Sequence, residues 1–269
     1  MRQQSSLARL LASAAVTAML AAGLGGCQTM ADITGSITSS KPEASPDADP
    51  RRAVEVYGER YRANPKDADA ALGYGQALRA TGQRAQAVAV LEQATIAHAG
   101  NKALLAGNGR ALADNGNFQQ AFDVLSRAHS PDNPDWRILS VQGTALDQLG
   151  RHDEARGYYA SALKIVPDEP SVLSNLGLSY VLSKDLPKAE ETLRRAYAST
   201  RADARVRQNL ALVIGLQGRF AEAESIVKAD LPPEEAAANV AYLKQMLSRK
   251  DNPRSAGRTM PVATLNRPD

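Results

Sequence analysis

Apolar and polar positions divide the chain into four stretches. After Arg2 and Arg9 an uncharged apolar run extends from Leu10 to Leu24. Residues 28–50 are rich in Ser, Thr, Pro and Asp and carry no sustained apolar stripe. From residue 51 to about Ser248 apolar residues recur with the 3.6-residue spacing of helices, each with one buried face. The last stretch, from Lys250, is DNPRSAGRTMPVATLNRPD, which shows no amphipathic period and is expected to be disordered. The helical stretch is punctuated by Gly and Pro, so it predicts many short helices in place of a few long ones.

Those helices repeat. Gly75, Gly109, Gly143 and Gly177 stand 34 residues apart, and Ala211 continues the series. A second column runs through Gly82, Gly116, Gly150, Lys184 and Gly218, and a third through Ala53, Ala87, Ala121, Ala155, Ala189 and Ala223. A fourth, Ala94, Ala128, Ala162 and Ala196, ends at Asp230. Small residues at fixed positions on two facing helices let the backbones approach closely, with Leu78, Leu112, Leu146, Tyr180 and Ile214 filling the space alongside. Glycine between the helices suits the left-handed conformation that ends the first of each pair. Lys184 lacks that freedom, but Pro187 close behind it can open the next helix, so the fourth repeat is still expected to turn.

Leu176-Gly177 with Tyr180, and Gly143 with Leu146, Gly150, Ala155, Tyr159, Ala162 and Pro167, resemble the tetratricopeptide repeat over roughly residues 51–230. Tyr74, Asn108 and Gln142 replace the leucine of its Leu-Gly pair, and Trp136 does not occupy its tryptophan position. The resemblance implies an all-α, right-handed solenoid of about five helix pairs, beginning near Asp69, Ala103, Arg137, Ser171 and Arg205. The expected division is an opening segment in 51–67 with an unpaired helix in 51–63, the repeat array in 68–230 and a capping helix in 231–249 that starts after Leu231-Pro232-Pro233, with the tail in 250–269.

The first 26 residues read as a secretion signal, since the apolar run is too short to span a bilayer core. It ends in Leu24-Gly25-Gly26-Cys27, which resembles a bacterial lipobox. That resemblance implies cleavage before Cys27, acylation of this residue and membrane anchoring through its lipid; two or more acyl chains anchor stably where one is marginal. Residues 27–50 would then be the lipidated cysteine and a tether, holding the folded part on the order of 25 Å from the lipid. Gln28, where an Asp would imply inner-membrane retention, implies the periplasmic face of the outer membrane.

Composition changes two readings. The chain has 269 residues, 43% apolar but only 4% aromatic, so its core must be built from Ala and aliphatic side chains. One Cys excludes an intrachain disulfide and a multi-Cys metal site. The net charge of +3 falls to +1 without residues 1–26, which hold two Arg and no acid, and this removes the case for nucleic acid. His98, His129 and His152 lie in different repeats and are each expected to face water. The acidic pairs Asp153-Glu154, Glu190-Glu191 and Glu234-Glu235 are expected to complement helix N-termini. No catalytic or cofactor motif is present in the sequence, so a non-enzymatic role without cofactors is expected.

A repeat array offers an inner groove lined by the first helix of each pair. In repeats three to five the groove positions that the family resemblance implies are Arg137, Ser140 and Thr144; Ser171, Ser174, Asn175, Leu178 and Val181; and Arg205, Gln208, Asn209 and Leu212. The asparagines could pair with a peptide backbone and the aliphatic residues could bury its side chains. The Lys/Asn/Lys/Arg set with which some relatives clamp a C-terminal carboxylate is incomplete here. Val206 to Leu247 is similar to the corresponding end of the TadD lipoproteins of the tight-adherence (Flp-type) pilus system. That similarity implies a protein-binding assembly factor with secretin or pilus-assembly components as partners. The alternative is a general periplasmic scaffold for cell-wall hydrolases or the outer-membrane insertion machinery.

Overall fold

The computed structural model describes residues 49–130 and 132–251, with side chains through Ser248. Cys27, the signal segment, nearly all of the tether and the tail from residue 252 lie outside the described residues. Among the described residues twelve helices follow one another: α1 (Pro50–Ala63), α2 (Ala68–Ala80), α3 (Arg84–Ala97), α4 (Lys102–Asp114), α5 (Phe118–Ala128) and α6 (Trp136–Gln148). They continue as α7 (His152–Ile165), α8 (Pro170–Leu182), α9 (Leu186–Tyr197), α10 (Ala204–Leu216), α11 (Phe220–Val227) and α12 (Pro233–Asp251). The five expected pairs are α2–α3 through α10–α11. The opening helix ends at Ala63, inside its expected segment, but it is not unpaired: it packs along α2, as a second helix does along the first helix that follows it. The capping helix runs to Asp251, two residues past its expected end.

Short helices need defined ends, and the first helix of each pair has them. Asp67, Asn101, Asp135 and Asp203 each accept a backbone N–H in the first turn of the helix they precede. Glu169 holds the equivalent place before α8, where Pro170 opens the helix without a side-chain cap. At the other end, Gly82, Gly116, Gly150 and Gly218 have φ between 77° and 86°, and Lys184 adopts 64°. In all five turns the next residue donates its N–H to the carbonyl five residues back, as Gln83 does to Leu78 and Asp185 to Tyr180. Lysine therefore turns the fourth repeat as expected, in a backbone region that favours glycine.

The Gly75 column has a more specific role than backbone contact. A Cβ on Gly75, Gly109, Gly143 or Gly177 would lie 2.4–2.6 Å from Leu91, Leu125, Tyr159 or Leu193. Each glycine thus receives the large buried side chain of the second helix, itself part of a 34-residue column. In the fifth repeat Ala211 replaces the glycine and the incoming residue is the smaller Val227, within the same core cluster. The two columns exchange volume, as close packing requires.

The departures from the Leu-Gly pair are also answered across the repeat boundary. Asn108 donates to Thr95 at 3.5 Å, the limit of a hydrogen bond, and Gln142 donates to Ser126 at 3.0 Å while meeting His129 Nε2 at 3.0 Å. Leu163 and Leu176, in the same relation one repeat on, pack on one apolar cluster. A polar residue at one position is matched by a polar residue 13 positions earlier, and an apolar one by an apolar one.

Between the fourth and fifth pairs the outer turns carry an ion-pair network. Arg219 binds Glu190 at 2.8 Å and Glu222 at 2.7 Å, and Arg194 joins both acids. Glu190 therefore does not serve a helix N-terminus as expected; it lies in the middle of α9 and links it to the following turn. Arg219, with Gln217 and Arg194 behind it, lowers the Glu190 carboxyl to about 2. A lowered folded value stabilises above the ordinary 4.5 and is lost as pH falls through about 2. Glu190→Gln should accordingly flatten the fall in melting temperature between those pH values; an acid limb unchanged from wild type would contradict it.

Candidate functional surface

Helix contacts identify the inner side. Each first helix touches the first helix of the next repeat, α2 with α4, α4 with α6, α6 with α8 and α8 with α10, whereas among the described residues no second helix packs comparably on its counterpart. The second helices fan apart, so the first helices line the concave side.

The groove residues divide by burial. Ser140, Ser174 and Leu212 are buried, at 6%, 0% and 6% exposure, and offer little to a ligand. Arg137 and Arg205 are exposed; Thr144, Ser171, Asn175, Leu178, Val181, Gln208 and Asn209 are half-buried. Asn175 donates to Ser140 Oγ at 3.1 Å, and Asn209 donates to Ser174 Oγ at 2.8 Å. Each asparagine thus ties its helix to the preceding first helix, so one N–H of its amide is engaged within the array. Val181 packs partly against the core of the last two repeats.

The structure adds a residue that the motif positions do not single out. Asp147, in the last turn of α6, is only 6% exposed. Its Oδ1 meets His152 Nδ1 at 2.9 Å and accepts from Ser179 Oγ at 2.8 Å, and its Oδ2 accepts from Tyr159 OH at 2.9 Å. Burial pushes the carboxyl above its ordinary value, against the hydrogen bonds from His152, Ser179 and Tyr159. Burial, with Asp147 next in effect, also raises the Tyr159 phenol well above its usual range. This is a clamp joining α6, α7 and α8. Ser179 and His152 both address Asp147, and the residues provide no serine-to-histidine relay.

The three histidines do not simply face water. His98 Nε2 meets the Lys66 carbonyl at 2.8 Å, His129 meets Gln142, and His152 meets Asp147. Each sits at a boundary between consecutive helices, where neighbouring backbone or side chains are within reach. Among the described residues no group of His, Cys, Asp and Glu could hold a metal ion, and no helix is long and apolar enough to cross a membrane.

Toward the N-terminal end a cleft of about 330 Å³ lies between α1 and α2, where Arg60 faces Asp67 and Asp69 among Tyr57, Leu72 and Gln76. Beyond it Arg79 Nε donates to Asp114 Oδ2 at 2.7 Å, from α2 to α4.

Comparison with known proteins agrees with this architecture. Tetratricopeptide-repeat family models match residues 47–108, 109–170 and 140–204, which together cover more than half the chain. No curated protein matches the sequence. Among solved structures, TTC0263, a thermophilic tetratricopeptide protein of Thermus thermophilus, is 20% identical, with a TM-score of 0.59 over 66% of this chain and 100% of that one. The APC/C hetero-tetramer Cut9–Hcn1 is 17% identical, with a TM-score of 0.62 over 77% of this chain and 41% of that one. MamA from Desulfovibrio magneticus RS-1 is 16% identical, with a TM-score of 0.46 over 72% of this chain and 96% of that one. The first two are likenesses of fold. With the 34-residue columns, the five paired helices and the matched family models in agreement, the chain belongs to the tetratricopeptide-repeat family.

Proposed function

We propose that this chain is a lipid-anchored, non-enzymatic scaffold that binds protein partners along the inner side of its repeats and assists assembly of a tight-adherence (Flp-type) pilus, with its secretin as first partner. The observation that carries the binding role is the inner surface itself. Thr144, Leu178 and Gln208 remain partly exposed on successive first helices, offering alternating polar and apolar contacts to an extended or helical segment. The pilus assignment rests on the similarity of Val206 to Leu247 to the TadD lipoproteins. The outer-membrane, periplasmic location rests on Leu24-Gly25-Gly26-Cys27 followed by Gln28.

Affinity capture of the full chain from detergent-solubilised outer membranes tests both parts. A secretin should accompany the wild-type chain and be lost with Cys27→Ser, which should also leave the membrane fraction. Capture of cell-wall hydrolases without any secretin, or a membrane fraction unchanged by Cys27→Ser, would overturn the corresponding part.

A further inference from the structure

The cations on the inner side of the first three repeats are incompletely neutralised. Arg110, on α4, is half-buried and has no hydrogen bond or ion pair among the described residues. It lies one turn before Asp114, whose carboxylate is engaged by Arg79 across the repeat boundary. From the other side Arg137, exposed at the start of α6, has its guanidinium 4.5 Å from the centroid of its neighbour Trp136 and no carboxylate partner among the described residues. Asp135 accepts the Arg137 backbone N–H at 2.7 Å as a helix cap. Burial, followed by Arg79, lowers the Arg110 value, and Arg137 acts the same way; Asp135 and Asp114 only oppose them. One turn before Arg110 on α4 stand Ala106 and Gly107, both buried, with Leu72 of α2 packed against Gly107.

We infer that the inner side of repeats one to three docks an acidic segment of a protein partner, with a side-chain carboxylate seated on Arg110 between Arg79 and Arg137. A half-buried guanidinium with unused donors is only partly solvated and has no paired carboxylate, and an incoming carboxylate supplies one through paired N–H···O bonds. This inference rests on the reading of the inner side as a protein-binding surface and names the chemistry of what it binds.

The test uses the full chain in detergent and a fluorescent, C-terminally amidated hexaglutamate peptide, read by anisotropy. The peptide should bind, binding should weaken as salt rises, and Arg110→Gln should reduce affinity about tenfold or more. Arg110→Lys should fall between the two, and Arg195→Gln on α9 should match wild type. Melting of Arg110→Gln at the wild-type temperature would show that the loss is not one of folding. Absence of hexaglutamate binding, equal binding by Arg110→Gln, equal binding of hexaglutamine, binding only when the peptide carboxyl terminus is free, or tighter binding of a single-stranded oligonucleotide would each overturn it. The two readings fail separately. Secretin capture that Arg110→Gln leaves unchanged, with no hexaglutamate binding, would sink this inference and leave the scaffold standing. Arg110-dependent peptide binding with no secretin captured would do the reverse.

Discussion

Gly109→Ala should destabilise the array by about 1–3 kcal/mol, although alanine is the better helix former by about 1 kcal/mol. The new Cβ would lie 2.4 Å from Leu125 Cγ, and Leu125 is fully buried between α4, α5 and α6. Leu125→Ala, which empties the same place, should cost about 2–5 kcal/mol. The two positions should compensate. Gly109→Ala with Leu125→Val recreates the Ala211 and Val227 pairing of the fifth repeat, and the pair should be more stable than the sum of the single changes by at least about 1 kcal/mol. Denaturant titration of the wild type, Gly109→Ala, Leu125→Val and the double variant gives the coupling directly. Strict additivity would mean that the two columns do not exchange volume and that the register of the helix pairs is held by other contacts.

Asp147→Ala should cost about 2–4 kcal/mol, because it leaves the Tyr159 hydroxyl, the Ser179 hydroxyl and the His152 ring without their shared acceptor in a buried place. Asp147→Asn keeps an oxygen for His152 and Ser179 and should stay within about 1 kcal/mol of wild type. The pH dependence follows from the raised carboxyl. A folded value above the unfolded one makes a contribution that is complete below the ordinary 3.8 and fades as pH rises through the higher folded value. The asparagine variant should lose that fall while keeping the wild-type profile elsewhere. Thermal melts across acid to neutral pH would show it, and an alanine variant as stable as asparagine would remove the clamp from the account.

The repeats were legible because their cause is repeated. A glycine that receives a leucine, and a glycine that turns with positive φ, recur every 34 residues and stand out in a single chain. The cap column of Asp67, Asn101, Asp135 and Asp203 has the same spacing and was open to the same reading. The polar partners of Asn108 and Gln142 could have been found as well, since Thr95 and His129 stand 13 residues before them. Asp147 could not. The equivalent positions hold Arg79, Ala113, Val181 and Gly215, so no column marks the residue and its three partners come from two other helices. The groove was legible only in outline. Family positions place a residue within its own repeat, but Ser140 and Ser174 are covered by asparagines of the next one, and burial of that kind is a property of neighbouring repeats.

The central claim is that partners bind the inner side. Photo-crosslinking from one inner and one outer position of the full-length chain in intact cells tests it most directly. A crosslinking residue in place of Leu178, half-buried on α8, should capture a secretin-type protein, and the same residue in place of Glu191, exposed on α9, should not. Capture from position 191 alone, or from neither position, would contradict the account.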